Sequence, residues 1–144
     1  MAITQLSALL ENVPGTMYGA VNLITDAGVN IRALSVADTR DFGILRVIVS
    51  DVEKAKAALS SDIVVTETPV IAVEMSDEAG ALRNVLAALQ DQGINIEYIY
   101  AFTGAVQGSA YVVMRVNDTD AAEKVLNRKG IQTLSDADLE GFLA

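Results

Sequence analysis

Two short loops, 65 residues apart, carry residue types suited to binding a small charged molecule. The first reads Asn12-Val13-Pro14-Gly15-Thr16-Met17, and the second reads Asp77-Glu78-Ala79-Gly80-Ala81-Leu82. Each loop places a Gly at the start of a predicted helix, where the first backbone N–H groups have no partner within the helix and lie at the positive end of its dipole. A Gly also lets the backbone approach a ligand closely. The chemistry expected of these loops is the binding of a carboxylate.

A second pair of segments follows the predicted helices, namely Gly28-Val29-Asn30-Ile31 and Gly93-Ile94-Asn95-Ile96. The side-chain amides of Asn30 and Asn95 each offer a carbonyl and an NH₂ group, so they can pair with both the carboxylate and the ammonium of a free amino acid. The carboxylate of Asp77 can add a contact to the ammonium. Two alternatives stay open: the Asn amides can cap turns, and Asp77 can cap its helix.

An internal repeat must position these segments. After the Gly of each loop, apolar residues recur at i, i+3, i+4 and i+7, which is typical of one buried helix face. These residues are Met17, Ala20, Val21 and Ile24, and then Leu82, Val85, Leu86 and Leu89. Gly28 and Gly93 are predicted to end the helices, because Gly takes a left-handed backbone without a Cβ penalty.

Strands are predicted on both sides of each helix. Apolar alternation at Leu6, Ala8 and Leu10 returns at Ile71, Val73 and Met75, which indicates a half-buried first strand. The second strand is expected at about 29–37 and 94–102, the third at about 44–49 and 110–116, and the fourth at about 63–66 and 131–134.

A second helix is predicted before each fourth strand. Ser50 and Glu53 form an S-x-x-E capping pattern, and Asn117 is the corresponding cap in the second repeat. The buried residues of these helices are expected to be Ala55, Leu59, Ala122 and Leu126. The repeat offset grows here from 65 to 67, and the two extra residues are assigned to the second hairpin.

The resulting order, βαββαβ twice, predicts an α+β fold of two ferredoxin-like repeats with antiparallel sheets packed together. The repeats are placed at 1–67 and 68–144, with Pro69 at the junction. The tail Ser135–Phe142 is predicted to be a short helix capped by Ser135 and Asp138 that packs Leu139 and Phe142 onto the body.

Composition argues against several functional classes. The formal net charge of −9 would repel nucleic acid, and the lack of His and Cys removes disulfides, histidine bases and the usual zinc ligands. The acidic residues Asp118, Asp120 and Glu123 are expected at a helix start rather than around a metal. No metal or cofactor is expected, and, without a long apolar run or a signal peptide, no membrane partner. A cytoplasmic protein is expected.

The two loops and the segments after the helices resemble those of ACT domains. That family is similar in having an acidic residue, a variable one, Pro-Gly and an apolar helix start, followed about a dozen residues later by Gly-Ile-Asn-Ile. The sequence departs from this pattern at Asn12, where the family prefers Asp, and at Ala79, where it prefers Pro. The text around 30–35 and 41–46 is similar to free-standing bacterial tandem ACT proteins.

The resemblance implies a regulatory protein that binds a free amino acid or similar small metabolite at the seam between two domains and shifts their packing. It implies allosteric regulation without catalysis, a homodimer, and an unidentified regulated enzyme as a further partner. The implied ligand-binding residues are Asn12, Val13, Pro14, Gly15, Thr16, Met17, Val29, Asn30, Ile31, Asp77, Glu78, Ala79, Gly80, Ala81, Leu82, Ile94, Asn95 and Ile96.

Two other functional classes stay open. A small enzyme could use Tyr18, Asp26 or Asp77 as an acid or base, and a ligand-independent adaptor could bind a protein through a sheet edge. The aromatic residues at 98, 100, 102 and 111 are suited to an RNA-stacking surface, but the net charge opposes it, so packing is their expected role.

Overall fold

The order of strands and helices repeats along the chain, as the sequence predicts. The computed structural model describes residues 2–38, 40–103 and 108–143. The first repeat contains β1 (Ile3–Glu11), α1 (Thr16–Asp26), β2 (Ile31–Asp38), β3 (Phe42–Val49), α2 (Val52–Ser60) and the start of β4 (Val64–Ser76). The second continues from β4 with α3 (Ala81–Asp91), β5 (Ile96–Thr103), β6 (Ser109–Val116), α4 (Thr119–Arg128), β7 (Thr133–Leu134) and α5 (Asp136–Leu143). The α+β class with two βαββαβ repeats is confirmed.

The chain divides into two compact units. The first is Thr4–Thr68, and the second is the described part of Pro69–Ala144 with that of Met1–Ile3. In the first unit, β3 pairs antiparallel with β1 on one side and with β2 on the other. In the second unit, β6 pairs antiparallel with β4 and β5, and β7 pairs with β4.

Each unit has its own core on one face of its sheet. In the first core, Leu6, Ala8 and Leu10 pack with Leu45 and Val47 of β3. The helices contribute Ala20, Ile24, Ala55 and Leu59. The second core is built likewise, from strand residues such as Ile71, Val73, Val112 and Met114 and helix residues Val85, Leu89, Ala122 and Leu126. The buried residues predicted for the second helix of each repeat are therefore confirmed.

The ends of α1 and α3 are closed by paired backbone hydrogen bonds. The Val29 N–H donates to the Ile24 carbonyl at 3.2 Å, and the Gly28 N–H donates to the Thr25 carbonyl at 2.9 Å. Such a closure requires a left-handed residue, and Gly28 has φ +77. The helix end still occupies this backbone, so β2 begins at Ile31, two residues later than predicted.

The predicted caps of α2 and α4 are wrong by one residue. Asp51 caps α2 by accepting from the Lys54 N–H at 3.1 Å, and Asp118 caps α4 by accepting from the Ala121 N–H at 3.0 Å. Ser50 instead accepts from the Asn30 N–H at 2.9 Å. The residue predicted as a cap thus ties the end of α1 to the start of α2.

Other local predictions are confirmed. The second hairpin is longer than the first by two residues, since residues 104–108 separate its strands and residues 39–41 separate those of the first. At the tail, the Ser135 N–H and hydroxyl donate to the Asp138 carboxylate at 2.9 and 3.0 Å, and these two bonds hold the pKa of Asp138 below its usual value. The Asp138 N–H donates back to the Ser135 hydroxyl at 3.2 Å. Leu139 is buried, whereas the side chain of Phe142 lies outside the described residues.

Removal of the α2 cap is expected to destabilise the protein. Asp51→Ala leaves the Lys54 N–H without its acceptor, so the free energy of unfolding should fall by about 1 kcal/mol. Asp51→Asn keeps a good cap and should stay within a few tenths of a kcal/mol of the wild type. Urea unfolding followed by circular dichroism measures both, and equal stability of the two variants would contradict the assignment of Asp51 as the cap.

Candidate functional site

The predicted loops lead directly into α1 and α3 with the same backbone. Gly15 has φ +90 and Gly80 has φ +91, and both stand immediately before the first helical residue. No side chain of the described residues caps either helix. The first helical N–H is nevertheless paired with the loop, since the Thr16 N–H donates to the Val13 carbonyl at 3.5 Å and the Ala81 N–H donates to the Glu78 carbonyl at 3.2 Å. The next N–H groups, those of Met17 and Tyr18 and of Leu82 and Arg83, are the ones that have no partner within the helix.

The first residue of each loop, Asn12 or Asp77, is bonded through its backbone to the neighbouring hairpin. The Asp77 N–H donates to the Gly108 carbonyl at 2.9 Å, and in the first unit the Asn12 N–H donates to the Asp41 carbonyl at 2.9 Å. These bonds tie each loop to the hairpin beside it. The Asp77 side chain is exposed and does not cap α3, so that alternative role is wrong.

The predicted Asn residues lie away from the loops of their own units. Asn30 follows the C-terminal end of α1 and Gly15 precedes its start, and an 11-residue helix is about 16 Å long. The backbone of Asn30 bonds to Ser50, and that of Asn95 bonds to Asn117. Within one unit, the structure does not bring Asn30 or Asn95 to the loop.

The residues beside these Asn side chains serve the cores. Val29 is buried in the first core, and Ile31 packs against it. Ile94 and Ile96 pack against the second core in the same way. Their position is a packing position, whereas Met17 and Leu82 are exposed at the helix starts as expected of residues that flank a ligand.

A pocket of about 600 Å³ adjoins the first loop and is called the first-unit pocket below. It is lined by the end of β1, the first half of α1, and the segment between α2 and β4. Gly15 and Thr16 line it, as do residues that the sequence did not suggest, among them Glu11, Asp62 and Val64. The Thr16 hydroxyl donates to the Glu11 carbonyl at 2.7 Å, which fixes the loop against the strand.

A pocket of about 500 Å³ occupies the corresponding place in the second unit and is called the second-unit pocket. Its lining includes Ala81 at the start of α3 and Gly130 and Ile131 after α4. The two pockets therefore arise from the fold of the repeat itself. Loop residues 12–14, 17 and 77–80 do not line them, and Leu82 does not either.

The electrostatics of the pockets follow from the helix ends. The start of α1 and the segment after α2 both line the first-unit pocket, so a positive and a negative helix end lie beside the same space. The Asp62 carboxylate adds negative charge next to the end of α2. A zwitterion can place its anionic group at the positive start of α1 and its cationic group at the negative end of α2.

The aromatic residues of the second unit form a packed group on the sheet. Tyr98 stacks on Tyr100 with centroids 6.5 Å apart, and Phe102 stacks on Tyr111 at 5.3 Å. Burial raises the pKa of Tyr111, and the nearby Glu74 carboxylate raises it further. Packing is thus the role that the structure gives to Phe102 and Tyr111.

The acidic residues at the start of α4 include the cap Asp118, and no metal-binding group of three acidic residues is found among the described residues.

A model of the family described as an ACT domain pair matches residues 1–143. The chain belongs to this family. ACT domains are regulatory modules that bind small ligands, and membership of the family gives the chain a ligand-binding regulatory role. None of the helices in the described parts of the chain has the length and hydropathy needed to cross a bilayer.

Solved structures of similar fold include protein BT0572 from Bacteroides thetaiotaomicron. That protein is 37% identical, with 96% of each chain covered and a TM-score of 0.90. The ligand-free regulatory subunit of aspartate kinase from Thermus thermophilus is 14% identical, with 87% of this chain and 91% of that chain covered and a TM-score of 0.63. No curated protein matches the sequence. The aspartate kinase subunit shares the fold with this ACT domain pair.

Substitution at the loop Gly should act through the backbone. A Cβ on Gly80 would meet only the tip of Arg83 at 3.5 Å, so the cost of Gly80→Ala comes from φ +91 and should be about 1–2 kcal/mol of unfolding free energy.

Gly19→Ala is the matched control for this substitution. Its Cβ would enter open space within α1, and the change should raise the free energy of unfolding by about 0.5–1 kcal/mol. Thermal and urea unfolding measure both variants. A Gly80→Ala protein as stable as the wild type would show that the loop does not need its left-handed backbone.

Proposed function

We propose that this ACT domain pair is an amino-acid sensor without catalytic activity, which binds its ligand in the pockets beside the Gly15 and Gly80 loops. The observation that carries the proposal is the juxtaposition of two opposite helix ends at each pocket. The α-carboxylate of an amino acid is placed at the start of α1 or α3, and the α-ammonium at the segment after α2 or α4. Both charged groups of the ligand then have a complement.

The carboxylate position is supported by the uncapped helix starts. Backbone N–H groups that no side chain satisfies bind an anion at little cost, because their orientation is already fixed by the helix. Thr16 keeps its own hydroxyl engaged with the Glu11 and Val13 carbonyls at 2.7 and 3.1 Å. That hydroxyl therefore holds the loop in shape.

The predicted residues Asn30 and Asn95 have a structural role in this proposal. Each holds the start of the next helix through two hydrogen bonds of its backbone, the first pair formed with Ser50 at 2.9 Å in both directions. This clamp fixes one end of the helix pair and leaves the other end to the ligand. Ligand contact by the Asn30 or Asn95 side chains would require a second domain.

The enzyme alternative has less support. Tyr18 is 73% exposed near the start of α1. Asp26 is the last residue of α1, about 12 Å from Tyr18 along the helix axis. General acid–base catalysis needs its groups within hydrogen-bonding reach of one reacting molecule. These residues do not share a site.

A protein partner is proposed at β2, which lies at the edge of the first unit's sheet, next to β3. Leu34 and Val36 on this strand are 45% and 46% exposed. Exposed apolar side chains on an edge strand favour pairing with another chain. We place the homodimer contact at this edge. The adaptor alternative would use the same edge to bind another protein. The proposed location of the protein is the cytoplasm.

Thermal unfolding with each of the twenty amino acids tests the proposed function. A ligand present at 100 times its Kd should add about 2.7 kcal/mol, which corresponds to roughly 5–10 °C for a chain of this size. The double variant Met17→Glu, Leu82→Glu adds a carboxylate to the first turn of both helices, where it competes with the ligand carboxylate. The ligand-induced shift should fall by at least half.

The matched control is Asn22→Glu with Ala87→Glu, at equivalent exposed positions beyond the first turn of each helix. These changes add the same charge and should keep the full shift. An equal loss of shift in both double variants would point to net charge alone, and a full shift in the first would remove the helix starts from the site. The absence of a shift with all twenty amino acids would reject the sensor.

A further inference from the structure

We infer that Asp62 and Lys129, at equivalent positions of the two repeats, determine the charge of the ligand that each unit binds. The first-unit pocket takes a zwitterionic amino acid, and the second-unit pocket takes a carboxylate that lacks the ammonium group. This inference rests on the proposed function and deepens it, because it names a residue that selects the ligand and assigns the amino acid to one unit.

The turns that follow α2 and α4 place these two residues alike. The Asp62 N–H donates to the Leu59 carbonyl at 3.3 Å, and the Lys129 N–H donates to the Leu126 carbonyl at 3.1 Å. Both acceptors are fully buried Leu residues of the core, three positions earlier in the chain. The turn after α4 then holds one further residue, Gly130, with φ +75. The repeat therefore has opposite charges at one backbone position.

Asp62 is the acidic residue on the helix side of the first-unit pocket. Glu11 also lines this pocket, but it follows the buried Leu10 and pairs with Phe42, so its side chain lies on the sheet face away from the helices. None of the described residues of the lining is Lys or Arg. A ligand ammonium beside the end of α2 therefore has an acidic partner in Asp62.

One amino acid can contact both helices of the first unit. Axes of packed helices lie about 8–10 Å apart, and Thr16 at the start of α1 and Asp62 after α2 line the same pocket. The carboxylate and ammonium of an amino acid are attached to a single carbon. Its carboxylate can then accept from the N–H groups of Met17 and Tyr18 while its ammonium donates to the Asp62 carboxylate, a charge-assisted hydrogen bond.

The second-unit pocket has no such acidic group on its helix side among the described residues. Glu74 lines it, but this residue follows the core residue Val73 in β4 and so lies on the opposite face of the sheet. Its carboxylate also accepts from the Ser109 hydroxyl at 3.4 Å. An ammonium placed after α4 would therefore depend on the helix end alone.

Basic residues stand at the end of α4 instead. Arg128 is its last residue, and Lys129 lines a pocket of about 350 Å³ that shares Asn84 and Ile131 with the second-unit pocket. Asp91 lines that smaller pocket too, but it ends α3, about 15 Å from the helix start. A ligand ammonium here meets like charge, whereas a carboxylate at the start of α3 gains nearby cations.

Amide NMR of the full ¹⁵N-labelled chain measures binding in each pocket separately, at Thr16 and Ile63 in the first unit and at Ala81 and Ile131 in the second. The probes are L-leucine and 4-methylpentanoate, which is L-leucine without its ammonium group. L-Leucine should bind the first-unit pocket roughly tenfold more tightly than the second. 4-Methylpentanoate should bind the second at least as tightly as the first.

The outcomes separate this inference from the proposed function. Equal affinity of L-leucine for both pockets, or tighter binding in the second, would overturn the inference and leave the sensor proposal standing. Perturbation of neither pocket by any of the twenty amino acids would overturn both.

Charge variants provide the second arm. Asp62→Asn should weaken L-leucine binding in the first-unit pocket roughly tenfold and leave the affinity for 4-methylpentanoate within about twofold. Lys129→Asp should strengthen L-leucine binding in the second-unit pocket at least roughly threefold. Asp26→Asn removes an exposed carboxylate at the far end of α1 and is the matched control, which should bind L-leucine as the wild type does.

The selective loss distinguishes an ammonium contact from a structural role. A general disturbance of the turn at Asp62 would weaken both compounds equally. Equal weakening of L-leucine and 4-methylpentanoate in Asp62→Asn, or unchanged affinity for L-leucine, would overturn the assignment of Asp62.

Discussion

The packing of two helices against one face of a sheet determines the rest of each unit. Ala20 and Ile24 of α1 and Ala55 and Leu59 of α2 are buried against the same strands, so neither helix can turn its apolar side elsewhere without exposing it. The reciprocal bonds between Asn30 and Ser50 join the end of one helix to the start of the other. The opposite ends then meet at the pocket, with unlike ends of the two helix dipoles side by side.

The interactions that stabilise the fold also place the two helix ends at the pocket, where a ligand can bind them. The core fixes the helices, and the left-handed Gly15 and Gly80 set the backbone of the loops at their starts. None of these residues needs to contact a ligand for the site to exist. The conformation of the loop is therefore already present before binding, which lowers the entropy cost of capturing a small molecule.

Much of the fold could be predicted because its signals are local. The repeat, the buried residues of α2 and the Gly after α1 all follow from spacing within a dozen residues. The errors are also local: the Ser50 side chain suits the cap of α2 as well as that of Asp51 does, and only the hydrogen bond from Asn30 to Ser50 shows why Asp51 is the cap. The apolar spacing predicts that Met17 is buried, but it is exposed, since it stands in the first turn of α1, ahead of the buried residues Ala20 and Ile24.

The site was harder to predict because its residues come from segments that are distant in the sequence and meet only in the fold. Asp62 and Val64 lie far from Gly15 in the sequence, and they reach it only because α2 runs back along α1. The predicted fourth strand beginning at about 63 was a usable signal, since a strand antiparallel to the first must begin where the first ends. The repeated motif predicts that Asn30 contacts the ligand, but repetition alone does not distinguish a ligand contact from a structural hydrogen bond.

The central claim is that the protein recognises both charged ends of an amino acid. Titration calorimetry of the full chain with L-leucine, N-acetyl-L-leucine and L-leucinamide tests it most directly, because the derivatives remove the ammonium and the carboxylate in turn. Binding of L-leucine with at least roughly tenfold weaker binding of both derivatives, or about 1.4 kcal/mol each, is the predicted result. Equal affinity for all three compounds, or no binding of L-leucine, would contradict the account.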